Sequence, residues 1–104
     1  MKMIKMLSED IRHNIEEAKD KIGTAYKLKE KDKAAADWYK MMAVAHMDFN
    51  STGHNNVTRL ISEAKQQMEG NPMMPGMIAV YEDMHADIMK EAAEVNAMIA
   101  GYSR

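Results

Sequence analysis

The chain contains no cysteine, which excludes disulfide frameworks, thiolate zinc sites and cysteine nucleophiles together. Proline occurs twice and glycine five times in 104 residues, so few positions are obliged to interrupt a helix. Aromatic residues are scarce: Trp38, Phe49, Tyr26, Tyr39, Tyr81 and Tyr102 are the whole set, and a core built from them is thin. Neither charge sign dominates, with 14 Lys and Arg against 16 Asp and Glu and a net charge of -2. Electrostatic capture of nucleic acid or of an anionic membrane therefore has no support. No stretch approaches the length and apolarity of a membrane span. Residues 1–10 lack the apolar segment of a secretory signal, so a cytoplasmic location is the default expectation.

What the chain has in excess is methionine, 13 residues. Methionine packs adaptably, which suits a soft core or a surface that accepts another helix.

Hydrophobic spacing predicts helices throughout. Ile4, Ile11, Ile15, Ala18, Ile22 and Ala25 recur at three, four and seven residues, and Ser8 followed by Glu9 and Asp10 suits a helix start, predicting a first helix over about 8–29. Asp32 can cap a second helix, predicted over 32–68, that buries Ala34, Trp38, Met41, Met42, Ala45 and Phe49. The run from Asn50 to Asn56 is poor in helix formers, which argues for a break near 50–53. Against a break, Gly53, Val57, Leu60, Ala64 and Met68 extend the seam at heptad-like spacing. Gly70, Pro72 and Pro75 punctuate the chain before a last helix over about 76–101. Its seam is Met77, Tyr81, Met84, Ile88, Ala92, Val95 and Ile99, and residues 101–104 read as a short tail.

These elements give one all-α domain over 1–104, an antiparallel bundle of three to four helices completed by homodimerisation. A four-helix monomer, with the middle helix broken, is the competing architecture. Association follows from area, since a chain of this size with few large apolar side chains gains burial most readily from an interface.

One short motif carries a mechanism. Glu82 and His85 lie three apart, on one helical face, and can present a carboxylate and an imidazole to one cation. The spacing Glu82-x-x-His85 resembles that of ferritin-like di-iron carboxylate proteins, over four residues. That resemblance implies a bridging or terminal carboxylate at Glu82 and a terminal imidazole at His85, with His46, Asp37 or Asp48 as candidates on the second helix and iron, manganese or zinc as the metal. The family uses two such motifs, and this chain has one, so a symmetric dimer would supply the other. The plainer reading makes His85 a buried histidine bonded to a neighbour, His46 a flanking residue and His54 a surface one. The methionine clusters at 41–42, 46–47 and 73–77 could offer thioethers to copper(I), but core filling or a partner helix explains them more simply. There is no Gly-x-Ser-x-Gly elbow and no phosphate loop, so no catalytic residue is assigned.

The function expected from the sequence is non-enzymatic: a helical oligomerisation or partner-binding protein, self-paired as a dimer or joined to another helical protein. The alternative is a ferritin-like metal-binding bundle.

Overall fold

The computed structural model describes residues 2–67 and 74–103. Among them are three helices and no strand: α1 (Lys2–Leu28), α2 (Lys33–Gln66) and α3 (Met74–Tyr102). Met68 and the segment Gly70, Asn71, Pro72 and Met73, read from sequence as a seam end and a turn, lie outside the described residues. No helix among the described residues is long and apolar enough to cross a membrane.

α1 starts six residues earlier than the capping signal at Ser8 suggests. Ile4 sits one heptad before Ile11 and is buried with it, and that contact carries the helix back to Lys2. Ser8 is consequently an interior helical residue, buried and without a partner for its hydroxyl, rather than a cap. The start of α2 follows the sequence signal: the Asp32 side chain accepts from the backbone N–H of Ala35 at 3.1 Å. Two backbone bonds to the Leu28 carbonyl, from Lys31 and Asp32, close the turn between α1 and α2. Pro75 occupies the first turn of α3, where its missing N–H costs nothing.

The helices run up, down and up, and form a rod 61 × 17 × 16 Å. α2 is unbroken. Its 34 residues span about 51 Å at 1.5 Å per residue, and α1 and α3 cover most of that length. The larger core lies toward the end where α1 begins and gathers Ile4, Ile11, Ile15, Met47, Val57, Ile61, Ile78, Ile88 and Val95. The smaller core, at the opposite end, consists of Ile22, Ala25, Ala36, Ala43 and Tyr102.

The inner face of α2 differs from the seam predicted by sequence. The buried residues are Ala36, Ala43, Met47, Asn50, Val57 and Ile61. Trp38, Met41 and Phe49, expected in the core, are 58%, 67% and 73% exposed, and Ala34 and Ala45 are exposed beside them. Helical phase gives the reason. At roughly 100° per residue, stepping from Ala34 to Val57 through the predicted seam drifts about 140° round the helix, whereas Ala36 to Ile61 drifts only about 20°. A straight helix can keep only the second series against its neighbours. Small residues at 36 and 43 also let the backbones of α1 and α2 approach.

Among the described glycines Gly53 is the most tightly faced: an added Cβ would lie 2.9 Å from Ile11 Cγ1 and 3.2 Å from its Cδ1, while at Gly23 nothing lies within 4 Å. Alanine at position 23 is therefore expected to raise the unfolding free energy by about 0.8 kcal/mol through helix propensity. The same change at 53 should lose that gain to overpacking of about 1–3 kcal/mol. Urea denaturation of the two variants decides the point, and equal gains would show that Ile11 has room to move.

Candidate functional site

Of the four histidines in the chain, the three weighed from sequence, His46, His54 and His85, sit in polar layers of the bundle. His46 faces α1: its Nδ1–H donates to Asn14 Oδ1. The Asn14 amide in turn donates to the His46 carbonyl at 2.6 Å and to Asn50 Oδ1 at 2.8 Å. These bonds satisfy the carbonyl oxygen of Asn50, a buried amide in the least helix-favouring part of α2. They replace, with tertiary partners, the local turn that an Asn-rich segment would otherwise form.

One turn further along α2, His54 lies flat on His85 of α3, with ring centroids 4.6 Å apart and planes 12° apart. His54 Nδ1 is buried without a hydrogen-bond partner among the described residues. Burial pushes the His85 pKa below the ordinary 6.5, and the neighbouring His54 adds to the effect. The folded state therefore binds a proton at His85 less readily than the unfolded chain does. Stability from this group is fully present above pH 6.5 and falls as the pH drops from there toward the depressed folded value. Denaturation midpoints followed from pH 8 to 5 should fall below pH 6.5, and His85→Phe should flatten that fall. An unchanged slope in the variant would assign the acid sensitivity elsewhere.

The residues proposed as metal ligands are not brought together. The Glu82 carboxylate pairs with Lys65 Nζ at 3.1 Å, which puts an ammonium where a cation would have to sit. His85 turns to His54, and His46 turns to Asn14. Asp37 is at the far end of the rod, held by Lys33 at 2.9 Å and by the Tyr102 hydroxyl at 2.9 Å. Among the described residues no three His, Asp or Glu side chains gather where a metal ion could be held.

The far end is organised by a residue that the sequence placed in a tail. Tyr102 is 4% exposed and packs edge-on against Tyr26, with centroids 5.5 Å apart. Its hydroxyl donates to Asp37 Oδ1, and its backbone carbonyl accepts from Lys29 Nζ. α3 has no basic residue in its own last turn. Lys29, from the turn between α1 and α2, supplies the cation that the negative end of the helix dipole favours, 4.8 Å above the Tyr102 ring. The Asp37 carboxyl is held below its ordinary range by the hydrogen bond from Lys33 and then by that from Tyr102.

The outer face of α2 is the most unusual surface of the molecule. Ala34, Trp38, Met41, Ala45 and Phe49 form one stripe at spacings of four, three, four and four, diametrically opposite the buried face. Beyond Phe49 the same face becomes polar, with Thr52, Asn56 and the ion pair of Arg59 with Glu63 at 3.0 Å. The first half of α2 is thus apolar on two opposite sides, a pattern that belongs to a helix covered on both.

Comparison with known protein families, curated proteins and solved structures finds no match. The stripe carries large side chains at 38, 41 and 49 with alanines at 34 and 45, and no charged residue lies on its crest. Sequence reasoning found these residues but assigned them to the wrong face.

Proposed function

We propose that the protein is a non-enzymatic association module that pairs with a second copy of itself through the outer stripe of α2. The observation carrying this reading is the exposure of Trp38, Met41 and Phe49 along one helical face. Monomeric proteins rarely leave contiguous apolar patches beyond a few hundred Å².

The order of side chains along the stripe favours an identical partner. A two-fold axis between Met41 and Met42, with the helices antiparallel, sets Trp38 against the partner's Ala45 and Phe49 against the partner's Ala34. Each ring then meets a small residue, and Met41 meets the partner's Met42 at the centre. Spacings of four, three and four through 34, 38, 41 and 45, and again through 38, 42, 45 and 49 with the half-buried Met42 at the flank of the stripe, are those of side chains interleaving between paired helices. The contact is modest. Two copies of the stripe offer on the order of 1,000 Å², near the lower limit of about 1,200 Å² for specific interfaces. A reversible dimer with a micromolar dissociation constant is the expectation.

Sedimentation velocity from about 1 to 500 µM tests the proposal. The mass should move from the monomer's 11.8 kDa toward twice that value as concentration rises. A constant 11.8 kDa would reject self-pairing and leave a different helical protein as the partner; a trimer or larger species would reject the two-fold arrangement.

A further inference from the structure

A cavity of about 210 Å³ lies between the three helices, on a side of α2 that the stripe does not reach. Ile15, Met47, Ile88 and Ala92 form its inner wall, and Asn55 and Asn96 stand exposed at its edge. Apart from the His54 imidazole, no residue lining it is ionisable. Apolar voids of about 150 Å³ are known to stay dry and to accept a benzene-sized guest, so this one has room for a ring with a substituent.

Two polar groups in the wall point to more than a packing fault. Asn50 is buried, and the only bond its amide N–H groups make among the described residues is to Met47 Sδ at 3.5 Å, a weak acceptor. His54 Nδ1, on the next turn, has no hydrogen-bond partner among the described residues. A buried donor spent on a thioether and a ring nitrogen spent on nothing are both costly unless something polar meets them.

We propose that this cavity is a binding site for a small, neutral, ring-containing molecule with one hydroxyl or carbonyl oxygen. The apolar body fills the space between Ile15, Ile88 and Ala92, and the oxygen accepts from the Asn50 amide. Charged ligands are disfavoured, because the wall holds no fixed counter-charge. Met47 and Met89 line the cavity as well, and their unbranched side chains can adjust to the outline of the guest.

The test uses p-cresol as probe, with toluene as its match lacking the hydroxyl and 4-methylbenzoate as its charged match, followed by amide chemical-shift titration of the full chain. Saturable shifts at residues 47–55 and 88–96 are expected, with p-cresol binding about tenfold more tightly than toluene and 4-methylbenzoate. Ala92→Leu fills the cavity and should abolish the shifts while raising the melting temperature. Asn55→Phe, a surface change at the edge, should weaken binding even if the filled variant folds poorly. Absence of saturable shifts, equal binding of all three probes, or undiminished binding in both variants would overturn the proposal. Self-pairing is read separately, since Phe49→Glu leaves the cavity intact and should bind p-cresol as the native chain does.

Discussion

Replacing Tyr102 with alanine is expected to lower the melting temperature by roughly 15 °C, an effect on the scale of deleting a buried aromatic from a small domain. The residue is the last of α3, and helix ends ordinarily fray. Its surroundings make it an exception. The buried part of the smaller core holds one isoleucine and three alanines besides Tyr102, with Leu28, Tyr39, Met98 and Ile99 partly buried against it, so the ring is the largest side chain fully inside that end. It also joins all three helices: Tyr26 from α1, Asp37 from α2 and the last turn of α3 meet at this side chain. Alanine there would leave a void that small neighbours cannot fill and would free the end of α3 to fray. Tyr102→Phe is the control. It keeps the ring, loses only the bond to Asp37, and should cost no more than a few degrees. Thermal unfolding monitored by circular dichroism distinguishes the two. Equal losses in both variants would assign the effect to the hydroxyl and not to the ring.

The second large effect is expected at the α2 stripe. Glutamate at both Trp38 and Phe49 should raise the dissociation constant of the dimer by roughly 1,000-fold or more, since each aromatic is a candidate hot spot worth at least about 2 kcal/mol and a two-fold interface contains every substitution twice. The monomer's own stability should barely move, because both side chains face away from the core. That combination, lost association with unchanged unfolding at low concentration, separates an interface from a misassigned core. Asn56→Glu, on the polar continuation of the same face, should leave the dimer intact. Trp38 is the only tryptophan in the chain, so its emission gives a direct reading: a shift to longer wavelength on dilution is expected in the native protein and absent in Phe49→Glu. Equal sedimentation of native and doubly substituted chains would end the proposal.

α1 and α3 were legible in the sequence because each has one apolar series that keeps its phase: Ile4 to Ala25 in the first, Tyr81 to Ile99 in the last. Tyr102 continues the second series at the next three-residue step, and that signal could have identified it as core despite its place near the chain end. α2 was legible as a helix but not in its orientation. Two apolar series share it, and the one with larger side chains, through Trp38 and Phe49, drew the assignment. Only the phase set by Val57 and Ile61 distinguishes the series that faces α1 and α3. Continuity through residues 50–56 rests on partners that no local pattern reveals: Asn14 for Asn50, Ile11 for Gly53 and His85 for His54. The Glu82-x-x-His85 spacing was real as a helical face, yet Lys65 and His54 on the opposing helix claimed its two members.

The stripe ends at Phe49, less than halfway along the rod. In the proposed pair the two molecules therefore overlap only near the ends that carry Tyr102, and the remainder of each projects past its partner in opposite directions. With about 25 Å shared between two 61 Å rods, the pair is a staggered strut close to 100 Å from tip to tip. The start of α1 lies at each outer tip, and both copies of Tyr102 lie near the middle. Such an arrangement holds two identical points at a fixed distance of about 100 Å, whereas an antiparallel pairing over the full length of the rods would hold them only about 61 Å apart.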